Sequence, residues 1–193
     1  MIDFTPVQEK QIPWPEFAAR LNRQDLIDEV NQLTDTILEI LVECSDFAVA
    51  FAPHDPEAHD PYAENPEDED LGWGLGHLIA HITASNEESA FMGAELARGV
   101  EVEPRRSRFE IDWEAITTLE QARHRLQESR RMVLASLDVW PDEPHLQNAY
   151  KTRSGLEVTP MVRVLFGFSH ASSHLAQIEE VIRQAKEAKT KSA

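Results

Sequence analysis

The chain has little of what would staple it, carry it across a membrane or hold it to a polyanion. One cysteine, Cys44, stands among 193 residues. A single thiol closes no internal disulfide, and its place in an apolar-periodic stretch predicts a buried thiol in a reducing, cytoplasmic setting. Glycine numbers only 7 and β-branched runs are few. With 41% hydrophobic and 27% charged residues, this is the composition of a folded helical domain and not of a disordered chain. Cations are scarce too: 18 Lys and Arg against 35 Asp and Glu leave a net charge of −17. Phosphate binding needs the opposite balance, so nucleic acid is not an expected partner. The longest apolar run, Phe47 to Ala52, is far too short to span a bilayer. Met1-Ile2-Asp3-Phe4 lacks the basic stretch and apolar core of a signal peptide. No membrane partner is expected. There is also no Gly-rich phosphate loop, no Gly-x-Ser-x-Gly elbow and no His-Glu-x-x-His, and Cys44 has no adjacent His.

What is present is helical periodicity. Leu26, Ile27, Val30, Leu33, Ile37, Ile40, Leu41 and Cys44 recur every three or four residues, predicting a first helix over 25–44. A loop over 48–70 follows. Its Asp55–Asp70 portion holds eight acidic residues and no basic one, and four prolines fall between Pro53 and Pro66. Such a long connection is either functional or a solvated strap. Leu75, Leu78, Ile79, Ile82, Ala90 and Leu96 predict a second helix within 72–98, and Leu119, Leu126, Val133 and Leu137 a third over 118–137. Trp140-Pro141 stops the third. Ser154-Gly155 sits between two short segments that can pair as a hairpin within 148–159. Thr159-Pro160 is a start signal for a fourth helix running to about Lys186. The expected fold is a single all-α domain, a four-helix bundle with a core over about 25–186.

Eight histidines are present, and four of them form pairs four residues apart: His77/His81 on helix two and His170/His174 on helix four. That spacing puts both rings of a pair on one helix face, and metal sites in bundles are built from facing helices. Unpaired imidazoles in a core are costly, so several there need a shared partner, either carboxylates or a common ion. His54 and His59 lie in the acidic loop without such spacing. Ser172 and Ser173 read as a helical spacer. Arg105, Arg106, Arg108, Arg123, Arg125, Arg130 and Arg131 form a basic cluster, read as a solvated face or counter-charge.

Two local sequences carry a family resemblance. Trp73-Gly-Leu-Gly-His77-Leu-Ile-Ala-His81-Ile resembles the tryptophan-led helix of the DinB-like (DinB/YfiT) superfamily, in which a histidine eight residues after the Trp is a metal ligand. His170-Ala-Ser-Ser-His174-Leu-Ala-Gln177-Ile178 is similar to the same family's carboxy-terminal motif, two histidines four apart followed by Gln-Ile. The resemblance covers about 25–186 and implies His81, His170 and His174 as the ligands of a divalent ion, with zinc or nickel ahead of iron or manganese. The chain departs from the pattern at Ala171 and Leu175, where the family often has Asp and Arg. It departs also at Asn86, where an acidic residue is common and Glu87 and Glu88 come next.

Three neutral imidazoles leave a dication its full charge and an open position for water or substrate, the catalytic kind of geometry. The resemblance then implies a transferase acting with a low-molecular-weight thiol, or a hydrolase, on a small-molecule substrate. The other reading is a non-catalytic stress or sensor protein whose closed histidine site stabilises the bundle. His77 divides the two. As a fourth ligand it closes the site; as a general base, a supporting group or a plain packing or surface residue it leaves the site open. Trp73 either packs the helix or lines a pocket, and Gln177 either bonds a ligand ring or solvates the helix edge. Phe91, Met92 and Leu96 either cap a homodimer or bury internally.

Overall fold

The computed structural model describes residues 1–56, 58–60, 66–103 and 112–191. Arg105, Arg106 and Arg108 of the basic cluster, and parts of the acidic loop, lie outside these residues. Two short helices, α1 (Thr5–Gln8) and α2 (Trp14–Ala18), lead into α3 (Arg23–Ile40). Phe4, Val7, Phe17 and Ala18 are buried, so the segment before α3 adds to the core. Trp14 anchors it by meeting Phe166 edge-on at 4.7 Å.

Helix α3 starts where its sequence dictates. The Asn22 side chain accepts from the Gln24 and Asp25 amides while Asp25 reaches back to the Asn22 amide, a reciprocal cap. It stops at Ile40 and not at Cys44 as the periodicity suggests. The last turn tightens, with Val42 N–H donating to Glu39 O and Cys44 N–H to Leu41 O. The Arg123 guanidinium donates to Leu41 O at 3.1 Å and Val42 O at 3.5 Å, satisfying carbonyls that a longer helix would have used. Cys44 is consequently half-buried rather than buried.

After α4 (Asp46–Val49) the chain enters the acidic loop, whose first part is clipped to the bundle. The His54 N–H donates to Gln184 Oε1, and Gln184 Nε2 donates back to His54 O. Helix α5 (Leu75–Ala97) is buried on nearly all sides along its first half, including Leu75, Gly76, His77, Leu78, Ile79, Ala80, Ile82 and Thr83. Gly76 is required there, because a Cβ would stand 2.4 Å from Ile116 O. That close approach lays the 3₁₀ turn Trp113–Ala115 onto α5. Helix α6 (Leu119–Asp138) opens with a second reciprocal cap, Thr118 with Gln121.

The expected hairpin is real but minimal. Strands β1 (Tyr150–Lys151) and β2 (Glu157–Val158) pair antiparallel, Tyr150 opposite Val158, with Gly155 at φ +85° in the turn between them. Thr159 and Pro160 start α7 (Pro160–Ser173) as anticipated, the Thr159 hydroxyl accepting from the Val162 amide.

The fourth helix is broken, contrary to the single run expected to Lys186. It divides at His174 into α7 and α8 (Leu175–Lys191). The Ser173 hydroxyl donates to His170 O at 2.7 Å, the carbonyl to which a regular helix would direct the His174 amide. His174 N–H donates instead to Ala171 O at 3.2 Å, and the helical pattern resumes with Ile178 N–H to His174 O.

Helix α5 packs on α6 and α7, and α3 completes the ring by packing on the same two. The result is the all-α four-helix bundle, with α8 leaving the break to lie against α4 and α5. One core cluster surrounds Phe168 and Leu26. The other, around Leu33, Ile79 and Ile178, includes Trp73 and Trp113 at its edge. Among the described residues no helix is long and apolar enough to cross a membrane.

Candidate metal centre

His81 sits on the second turn of α5, His170 on the last turn of α7 and His174 at the break between α7 and α8. One ring nitrogen from each lies within 4.8 Å of the other two. The ring centroids are 4.8, 5.2 and 4.8 Å apart and the ring planes are near-perpendicular, at 67°, 82° and 88°. The three rings thus meet like the faces of a corner, the arrangement that converges lone pairs on one point. His81 Nε2 and His170 Nε2 stand 2.6 Å apart.

The surroundings of His170 and His174 favour the neutral ring. Burial, then the neighbouring His174 and His81, pushes the His170 pKa down to about 4. Burial also lowers that of His174, with His81 adding to the effect and the hydrogen bond to Gln177 opposing it. Neutral imidazole is the form that ligates, so the donor set fits a metal ion. Gln177, one turn beyond, resolves one alternative: His174 Nδ1–H donates to its Oε1 at 2.8 Å.

His77 is held apart from this group. It is 8% exposed, and its ring is stacked between two indoles, Trp73 at 4.5 Å and Trp113 at 4.7 Å, the latter nearly parallel at 7°. Trp73 also lies 4.6 Å from the His81 ring and 6.0 Å from that of His174, so it both packs the helix and roofs the triad. It is fixed there by close backbone approaches on either side. A Cβ on Gly72 would meet Pro53 O at 2.7 Å, and one on Gly74 would meet Phe51 O at 2.9 Å. Trp113 was not legible in advance, since it lies on a 3₁₀ turn outside any apolar period.

A cleft of about 220 Å³ opens beside His174, lined by Asp55, His59, Asp60, Trp73 and Gln177 among others. A second, of about 300 Å³, shares Asp55, Trp73 and Gln177 and continues along α8 to Gln184. His59 stands at the rim, its Nδ1 3.3 Å from Asp70 and 3.6 Å from Glu69, while His54 lines only the second cleft. Neither joins the three-nitrogen group. The described arginines of the basic cluster face elsewhere. Arg125 pairs with Glu87 and donates to Thr83, Arg130 pairs with Asp35, and Arg131 with Glu128. Met92 and Leu96 are buried within the bundle, whereas Phe91 is 45% exposed.

Across residues 29–178 the sequence matches the family model of the DinB superfamily. The chain belongs to the DinB superfamily. The matched stretch takes in the last two thirds of α3, all of α5, α6 and α7, and the three histidines. No curated protein and no solved structure matches the chain. As a DinB-superfamily member it carries a triad that could hold a metal ion, on the three positions its motifs mark.

Proposed function

We propose that this DinB-superfamily protein is a metal-dependent enzyme, a transferase acting with a low-molecular-weight thiol or a hydrolase, working at His81, His170 and His174. The observation that carries the reading is that a triad of histidines adjoins a cleft. A bound divalent ion, zinc or nickel before iron or manganese, would supply Lewis acidity there and activate a thiol or water nucleophile. Trp73 and Gln177 would orient a small-molecule substrate entering beside His174. We assign His77 the supporting role rather than that of fourth ligand, since its ring is held between Trp73 and Trp113. This favours the open, catalytic site over a closed structural one in a stress or sensor protein. The proposal places the enzyme in the cytoplasm and makes Phe91 the apolar contact of a homodimer.

The test is elemental analysis of the untagged protein alongside five single alanine variants. Near-stoichiometric metal is expected in the wild type and in His124→Ala and His145→Ala. It should fall at least tenfold in His81→Ala, His170→Ala and His174→Ala. Equal metal in all five variants would refute the ligand assignment, and no metal after reconstitution with zinc, nickel or manganese would refute the metal reading. With the ion identified, thiol transfer and hydrolysis are the activities to screen, and a loaded protein inert in both would favour the sensor reading.

A further inference from the structure

Gln177 touches the triad and the clefts at once. Its Oε1 is 2.8 Å from His174 Nδ1, and its side chain lines both clefts beside the site. A neutral imidazole carries one hydrogen, and the nitrogen that holds it cannot also offer a lone pair. An amide oxygen at Nδ1 requires the hydrogen there and leaves Nε2 bare. His174 lies at the break between α7 and α8. Gln177, on the first turn of α8, is the group that fixes it.

We infer that Gln177 is a positioning residue that locks His174 in its Nδ1–H tautomer, presenting a bare Nε2 to the His81–His170 pair. The inference builds on the metal reading but can be tested without it. Identity matters as well as reach. A carboxylate at position 177 would accept the same hydrogen bond, but it would add negative charge beside the ion and raise the basicity of the ring. The amide sets the tautomer while leaving the site's charge to the ion. One side chain thereby joins the ligand ring to the wall of both clefts.

The deciding measurement is long-range ¹H–¹⁵N correlation spectroscopy of the metal-free protein at pH 7.5, with His174 assigned by comparison with His174→Gln. The Nδ1–H tautomer is expected in the wild type and in Gln177→Glu, and a shift toward Nε2–H in Gln177→Leu. An Nε2–H tautomer in the wild type, or one unchanged by Gln177→Leu, would overturn the inference whether or not metal binds. Zinc affinity by chelator competition supplies the second arm. A loss of about 10- to 100-fold is expected in Gln177→Leu, with affinity in Gln177→Glu equal to or above that of the wild type. If Gln177→Leu binds zinc as the wild type does, the positioning role is overturned. If the wild type itself binds none, the metal reading fails while the tautomer result stands alone. Unchanged thermal unfolding of the two metal-free variants separates positioning from a packing defect.

Discussion

The two histidine pairs have the same spacing and different fates. On α5, His77 and His81 follow a continuous helix, and only His81 reaches the triad; His77 is taken up by Trp73 and Trp113. On the fourth helix, His170 and His174 straddle a break, and both rings enter the triad. A four-residue spacing brings two rings to one face, but it does not say what that face meets. Around the first half of α5 there is protein on nearly every side, so the earlier ring is met by aromatic packing before it can meet the other imidazoles. At the break, His170 and His174 both meet His81, and a cleft opens on the His174 side.

The sharpest way to break this contrast is to exchange one residue from each pair. His77→Phe keeps an aromatic ring between the indoles, and its metal content is expected to equal that of the wild type, against the tenfold or greater loss from His170→Ala. Equal loss in the two variants, read by elemental analysis, would make the pairs equivalent and the contrast false. A smaller effect concerns the stack itself. Trp113→Ala removes one face of the His77 sandwich and part of the apolar cluster, and should cost about 2–3 kcal/mol in urea unfolding. Its metal content should hold, and a coincident loss of metal would tie the stack to ligation.

A third test is the pH dependence of the metal-free protein. His170 is pushed to about 4 in the folded state, against an ordinary value of 6.5. Between those values the unfolded chain binds the extra proton, so the contribution of the neutral, buried ring is complete above about 6.5 and is lost as pH falls toward 4. His170→Gln cannot titrate, and its urea midpoint should therefore decline less over that window than that of the wild type. Parallel declines would show that His170 does not account for the acid sensitivity.

Much of this architecture could be read from the chain because it rests on local rules. Apolar spacing placed α5 and α6 to within a few residues. Thr159-Pro160 marked the start of α7, and Ser154-Gly155 marked the turn of the hairpin. The three candidate ligands came from paired spacing together with the family motifs. The end of α3 was misplaced because Arg123, 82 residues distant in sequence, captures its terminal carbonyls. The break at His174 turns on one serine hydroxyl, an exchange that apolar periodicity does not register.

By itself, then, the sequence determined the helical class and the bundle order, since these follow from periodicity and capping within a few turns, while the family motifs pointed to the histidines that could share an ion. Only the tertiary structure decided that His77 would be stacked away from the triad, that Trp73 would roof it and that Gln177 would bond His174 from the wall of a cleft. Those outcomes depend on which surfaces lie opposite one another. Trp113 reaches His77 because Gly76 lets another segment approach α5, and the cleft is walled by Asp55 and Asp60 of the loop on one side and by His174 and Gln177 on the other. Such contacts join residues far apart in the chain, and spacing along one helix carries no information about them.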